Sequence, residues 1–226
     1  MNHSEFSAAS HSRLGGRQPD RTWRCRGLLL VFLLMGVSSG VAQVEWQIRT
    51  NYYVVTGSTL REIHQALRAS RPWRATGGTD ARTDWKMDYR TQMQSGPDGC
   101  RLSQVQVKAS VTITLPTLHT PPETPAALKR VWQDYLVKLM AHEQRHVGIT
   151  RASAEAMLNR IRSMSPDRDC GVLRNRISQV AGQVLEECGR KQAEYDRRTR
   201  HGATEGVVFP RRLPGEGNRR EDQRRD

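Results

Sequence analysis

The chain has 226 residues, 36% of them hydrophobic, and a formal net charge of +13 at pH 7. That is material for one modest core with polar tails, and not for two full domains. The surplus charge is mostly arginine, but aromatic residues make up only 6% of the chain and no nucleic-acid motif occurs, so nucleic acid is not an expected partner. An anionic cell-envelope surface is the electrostatic partner that such a charge suits.

Residues 1–42 read as an export signal. Arg21, Arg24 and Arg26 precede the apolar run Leu28 to Val37, which leads into Ser38-Ser39-Gly40-Val41-Ala42. Gly40 and Ala42 are small enough for the positions ahead of a cleavage site, so cleavage is expected after Ala42. The run falls well short of the about 20 apolar residues that span a bilayer. A periplasmic or secreted chain beginning at Gln43 follows from this reading.

Cysteine use agrees with export. Cys25 goes with the leader, leaving Cys100, Cys170 and Cys188. Cys188 continues a helical stripe of Leu173, Ile177, Val180 and Val184, where a thiol is most simply a small buried hydrophobe. By elimination Cys100 pairs with Cys170. Closing a loop of about 70 residues is worth roughly 4 kcal/mol on the chain-entropy model, and an oxidising compartment preserves the bond.

The segments Val44 to Ile48 and Tyr52 to Val55 read as one strand or two short ones, closed by Gly57-Ser58. Thr59 can cap a short helix with the stripe Leu60, Ile63, Leu67. A loop at Arg71-Pro72 and Gly77-Gly78 leads to a strand, Thr83 to Tyr89, that turns Trp85, Met87 and Tyr89 to the core. After the turn Ser95 to Gly99, the alternation Val105, Val107, Ala109, Val111, Ile113, Leu115 is the clearest in the chain. This last strand is either an ordinary core strand or an edge strand to which an extended peptide could add.

A long helix is expected from about Thr124 to Ser163, ending near Pro166, and a second from Asp169-Cys170 towards Tyr195. The apolar stripe of the first, Leu128, Val131, Trp132, Tyr135, Leu139, continues onto His142 and His146. Together with Glu143 these form His-Glu-x-x-His. Imidazoles one helical turn apart can both offer a ring nitrogen to one Zn²⁺, with Glu143 placed to take a proton from a coordinated water. A catalytic zinc needs a third protein ligand and an open position. If the two helices form an antiparallel hairpin turning near Asp167, residues around Arg190 come level with His146. Glu186, Glu187, Glu194, Tyr195 and Asp196 then lie near the metal.

Several of these residues carry a family resemblance: Tyr52-Tyr53-Val54-Val55 with Gly57, Thr83 with Trp85, Cys100, Thr114-Leu115-Pro116, Trp132, His142-Glu143 with His146, Cys170, and Tyr195-Asp196-Arg197-Arg198-Thr199-Arg200-His201-Gly202. Over about Thr50 to Gly206 the chain resembles the bacterial predicted secreted zinc-dependent proteases known as domain of unknown function 922. The resemblance implies a small zincin-like fold, a periplasmic or secreted setting and a protease role. It gives no account of Cys188, nor of Glu205, where glutamine is the residue loosely expected.

For the third ligand the favoured residue is His201, which precedes Gly202, a residue able to bend the backbone back to the cleft. Asp196 comes second and Glu187 third. Tyr195 is the candidate hydroxyl donor to a reacting carbonyl oxygen. The expectation is thus an α+β protein: a short mixed or antiparallel sheet of three to four strands packed on the long metal helix and a second C-terminal helix. It comprises a leader (1–42), a metallopeptidase domain (43–206) and a disordered basic tail (207–226), and acts as an exported zinc peptidase on peptide or protein substrates. The competing class is an exported, catalytically inactive metal- or envelope-binding protein of the same build.

Overall fold

The computed structural model describes residues 43–73 and 78–214. The leader, with the cleavage expected after Ala42, lies outside the described residues, as does the last part of the tail, 215–226. The elements are β1 (Gln43–Thr56), α1 (Leu60–Ser70), β2 (Arg82–Gly96), β3 (Gly99–His119), α2 (Ala126–Arg162), α3 (Cys170–Thr199) and a 3₁₀ turn (Ala203–Glu205).

The sheet is mixed and three-stranded, in the order β1-β3-β2, with β1 parallel and β2 antiparallel to β3. The expectation of an α+β protein with a mixed sheet of three strands therefore holds, but the strands, of 14, 15 and 21 residues, are longer than the short ones expected. The strand that could have been an edge, β3, is instead the centre, and β1 and β2 are the edges. The reason lies in its length and pattern: β3 alone is long enough to pair along both neighbours, and Val105, Val107, Ala109, Val111, Ile113 and Leu115 are all buried. Even-numbered residues of β2 and β3 such as Lys86, Asp88, Gln106 and Lys108 are exposed on the other face. Such a sheet packs on one side and meets water on the other.

β2 and β3 are joined through Gly96-Pro97-Asp98-Gly99. Gly99 has φ +104°, and a Cβ there would run into the carbonyl of Asp167. That close approach lets Cys100 exchange backbone hydrogen bonds with Asp167 at 2.7 and 2.9 Å. The Cys100–Cys170 disulfide sits at the same corner, as expected. It ties the strand hairpin to the turn between α2 and α3. Asp169 caps α3, its side chain accepting from the Val172 N–H at 2.8 Å, and Arg176 pairs with Asp167 at 2.7 Å.

Two apolar clusters lie under the sheet. One joins Tyr53, Val55, Ile63, Leu67, Ile113 and Leu115 to Leu128, Trp132, Tyr135 and Leu139 of α2. The other joins Met87, Val105, Val107 and Ala109 to Met157, Ile161, Leu173, Ile177 and Val184. Cys188 is fully buried in the second cluster as a free thiol. The start of the expected tail differs from expectation. Phe209 is buried against Trp132, Tyr135 and His64, at centroid distances of 5.7, 5.4 and 5.1 Å. Val207 and Leu213 pack against the same cluster and His64 Nε2 lies 3.1 Å from the Pro210 carbonyl, so the apolar side chains of 207–214 hold this segment against α1 and α2.

The disulfide closes a loop between residues 70 apart. Replacing both Cys100 and Cys170 by serine is expected to lower the unfolding free energy by about 4 kcal/mol, read as a reduced urea midpoint, with a somewhat steeper slope because the unlinked chain unfolds to a more expanded state.

Candidate metal centre

Between the two apolar clusters, the middle of α2 places polar side chains on the buried face. His142, Glu143 and His146 are 4%, 4% and 7% exposed. Histidines and a carboxylate so deep need partners, and α3, lying alongside, supplies them. Gln192 and Asp196, one turn apart on α3, both face α2: the hairpin is level here slightly beyond the Arg190 position that equal counting gives.

The partners fix which ring nitrogen carries hydrogen. His142 Nδ1 lies 2.9 Å from Glu205 Oε2, and a carboxylate only accepts, so Nδ1–H donates. His146 Nδ1 lies 2.6 Å from Gln192 Oε1. Gln192 is oriented in turn, its amide nitrogen donating to the His146 carbonyl at 3.1 Å and to Thr150 Oγ1 at 3.0 Å. Both Nε2 atoms are thereby left as lone-pair donors in the neutral rings. They point at each other across 3.3 Å, and Asp196 Oδ1 stands 3.2 Å from one and 3.1 Å from the other.

Three lone-pair atoms converging in a buried place call for a positive charge between them. Tetrahedral ligands at about 2.0–2.1 Å from a zinc ion stand roughly 3.3–3.4 Å apart. The separations here match that triangle, so the donor set fits a divalent cation held by His142, His146 and Asp196. Burial pushes both histidine pKa values down, but the hydrogen bonds to Asp196 outweigh it and raise them. Burial likewise works to raise Asp196, and the hydrogen bonds from the two rings hold it well below the usual carboxylate range.

The two other candidates for the third ligand are placed elsewhere. His201 is exposed, with Nδ1 3.5 Å from Asp196 Oδ1, and lies beside the converging donors without joining them. Glu187 is bound to Arg160 by two hydrogen bonds of 3.0 and 2.9 Å, far along α2 from the histidines. Asp196, the second choice on sequence, is the residue whose carboxylate stands with the two histidines, close enough for the three to hold an ion. The helix explains this, since Asp196 is still on α3, one turn past Gln192, whereas His201 comes after the helix has ended.

Tyr195 also differs from its expected role. Its ring stacks on His142 at 4.9 Å and its hydroxyl donates to Glu205 at 2.8 Å. Glu205 binds the Nδ1 side of His142, so this hydroxyl sits on the far side of that ring from Asp196 and serves to position it. Burial and the adjacent Glu205 carboxylate raise its pKa.

The turn after α3 brings Glu205 home. Arg200, His201 and Gly202 have φ of 51°, 52° and 81°, and left-handed geometry costs the two non-glycine residues roughly 1 kcal/mol each. Thr199 Oγ1 accepts from the Gly202 N–H at 3.2 Å and donates to the Tyr195 carbonyl at 2.9 Å, which holds the reversal. At Gly202 a Cβ would stand 2.7 Å from Val207 Cγ2 and 3.1 Å from His142 Cγ. Only glycine allows that chain to pass so close to the ligand ring.

Glu143 faces the cleft beside the triad. Thr83 Oγ1, at the start of β2, donates to Glu143 Oε2 at 2.6 Å. Burial raises the Glu143 pKa, opposed in part by Thr83 and the two histidines. An open cleft of about 710 Å³ runs over these groups, with Trp73, Trp85, Leu139 and Val207 among its apolar walls and Arg82, Arg200 and His201 among its polar ones. Gln192 was not legible as functional from the sequence, and Thr83 stood out only as one of the residues that carry the family resemblance, with no role attached. The one signal for Gln192 was its place four residues before Asp196, on the same face of α3.

Fold and donor set define an α+β protein with a candidate metal centre of two histidines and one carboxylate. Residues 50–202 match the family described as bacterial protein of unknown function (DUF922), and the chain belongs to that family. The match takes in the three donors, Glu143, Thr83 and Gly202, and stops short of Glu205. No curated protein and no solved structure gives a significant match.

Elemental analysis of the purified protein is expected to find a near-stoichiometric divalent metal in wild type and in His201→Ala, and little in His142→Ala or Asp196→Ala. The opposite ranking of Asp196 and His201 would transfer the third position to His201. Coordination needs neutral rings, and both histidine pKa values are raised in the metal-free protein. Apparent metal affinity therefore falls as pH drops through those raised values, measured by chelator competition between about pH 5 and 8.

Proposed function

We propose that this chain is an exported, zinc-dependent metallopeptidase of zincin-like build. His142, His146 and Asp196 hold the cation, and Glu143 is the general base. The observation that carries the reading is the convergence of His142 Nε2, His146 Nε2 and Asp196 Oδ1 on one point, with a buried glutamate one residue along the same helix. Two histidines and a carboxylate form a known set for catalytic zinc, leaving a fourth position open.

When bound, the cation acidifies a coordinated water and polarises the carbonyl of the substrate. The rest is done by side chains. Thr83 occupies Oε2 of Glu143, and Oε1 has no protein hydrogen-bond partner among the described residues, so it is the oxygen that takes the proton from water. As the water oxygen bonds to the carbonyl carbon, Glu143 holds that proton. It then passes the proton to the amide nitrogen as the C–N bond breaks. A carboxyl whose pKa is raised by burial keeps a proton long enough to deliver it.

β2 supports a peptide substrate. It is an edge strand, it begins at Arg82 and Thr83, and Asp80 to Thr83 and Trp85 line the cleft. An extended peptide added to its free edge would cross the cleft above Glu143. The role considered for β3 on sequence thus passes to β2, because β3 is enclosed on both sides.

Cleavage of casein or of a peptide library is expected to fall by at least about 10²-fold in Glu143→Ala with metal content unchanged. Thr83→Val, which frees Oε2 without removing the base, is expected to lower kcat by a smaller factor and to shift the acidic limb of the pH profile upward. Equal turnover in wild type and Glu143→Ala would remove the residue from the mechanism. No turnover on any peptide, with metal retained, would favour the exported metal-binding protein.

A further inference from the structure

The second sheet edge, β1, has a use of its own. It runs for 14 residues, Gln43–Thr56, pairs only with β3, and among the described residues no strand lies beyond it. Natural edge strands are commonly short, interrupted or heavily charged, because their outward N–H and C=O groups otherwise recruit another strand. β1 has none of these protections: it contains no proline, and its charged residues are Glu45 and Arg49. Its exposed apolar side chains include Ile48, Tyr52 and Val54, at 46%, 63% and 47%.

We propose that β1 pairs antiparallel with β1 of a second copy of this chain, about a two-fold axis through Gln47, making a continuous six-stranded sheet. The register follows from charge. With Gln47 on the axis, Glu45 stands opposite Arg49 of the partner subunit, and the symmetry makes this contact twice. Side chains directly opposite share a face of the sheet, and both faces agree with this register. Glu45 is on the water-facing side, where it already pairs with Lys108 at 2.9 Å. Arg49, four residues on, alternates to the same side and has no ion-pair partner among the described residues. On the helix-facing side, Trp46 lies under the Arg151 guanidinium, 5.2 Å from its ring centre, and the same register sets it opposite the exposed Ile48 of the partner subunit. Two opposite-charge pairs on one face and two apolar pairs on the other make the strand self-complementary, as an isologous two-fold interface requires. The arrangement covers Gln43 to Asn51 of the unprotected edge, leaves Tyr52 and Val54 outside the paired stretch, and leaves β2 free at the cleft.

Sedimentation equilibrium on the purified protein is expected to show a concentration-dependent dimer. Glu45→Arg and Arg49→Glu each place like charges opposite one another twice, and each is expected to weaken the dimer by about tenfold or more. Mixing the two variants restores an opposite-charge pair at both contacts, so a heterodimer of near wild-type strength is expected. That recovery also shows that both variants are folded. Ile48→Asp, which removes the apolar pair instead, is expected to weaken the dimer without being rescued by either charge variant. A monomer at every concentration overturns the proposal, as does a dimer that is indifferent to the single charge reversals or is not restored by mixing them.

Discussion

One oxygen atom organises this molecule. Asp196 Oδ1 lies within 3.2 Å of both histidine Nε2 atoms, and it can do so only if α3 runs beside the middle of α2 at a fixed height. The corner at Cys100, Asp167 and Cys170 fixes that height, since the disulfide and the paired backbone hydrogen bonds pin the helix turn to the strand hairpin. The apolar cluster of Met157, Ile161, Leu173, Ile177 and Val184 then holds α2 and α3 together along the stretch between the corner and the site.

The site is built outward in layers of hydrogen bonds. Gln192 orients His146, Glu205 and Tyr195 orient His142, and Thr83 orients Glu143. Partners of this kind determine which ring nitrogen is free to ligate. They come from β2, α3 and the turn after α3, so the geometry depends on the whole fold rather than on the helix bearing the motif. Burial makes these bonds necessary, because a buried imidazole or carboxylate without a partner would cost more than the packing gains.

At the end of α3 the candidate site is set against local backbone preference. Two non-glycine residues and then Gly202 take left-handed backbone in succession. The reversal returns Glu205 to His142 and carries Phe209 into the cluster around Trp132 and Tyr135, so the local cost is offset by a hydrogen-bond partner for His142 and a buried ring. The two sheet edges divide in a comparable way. β2 meets the cleft through Thr83 and Trp85, while β1 lies away from it and carries complementary charges and apolar side chains along its length.

Periodicity determined a great deal. The stripe from Leu128 to Leu139 gave α2 and put His142 and His146 on its buried side, and the alternation from Val105 to Leu115 gave the best-packed strand. The cysteine pattern gave the disulfide. These are signals between neighbours in the chain, one or two turns or pleats apart, and they survive without knowledge of the fold. What the sequence left open were the relations between elements. Whether β3 is centre or edge depends on which strands pair with it. Whether Asp196 or His201 completes the donor set depends on where α3 ends relative to α2, and whether the Tyr195 hydroxyl faces the cleft or Glu205 depends on a turn made by three left-handed residues. Each is a matter of relative height and rotation between packed helices and strands, decided by side chains from all of them at once, and so only the tertiary structure could decide it.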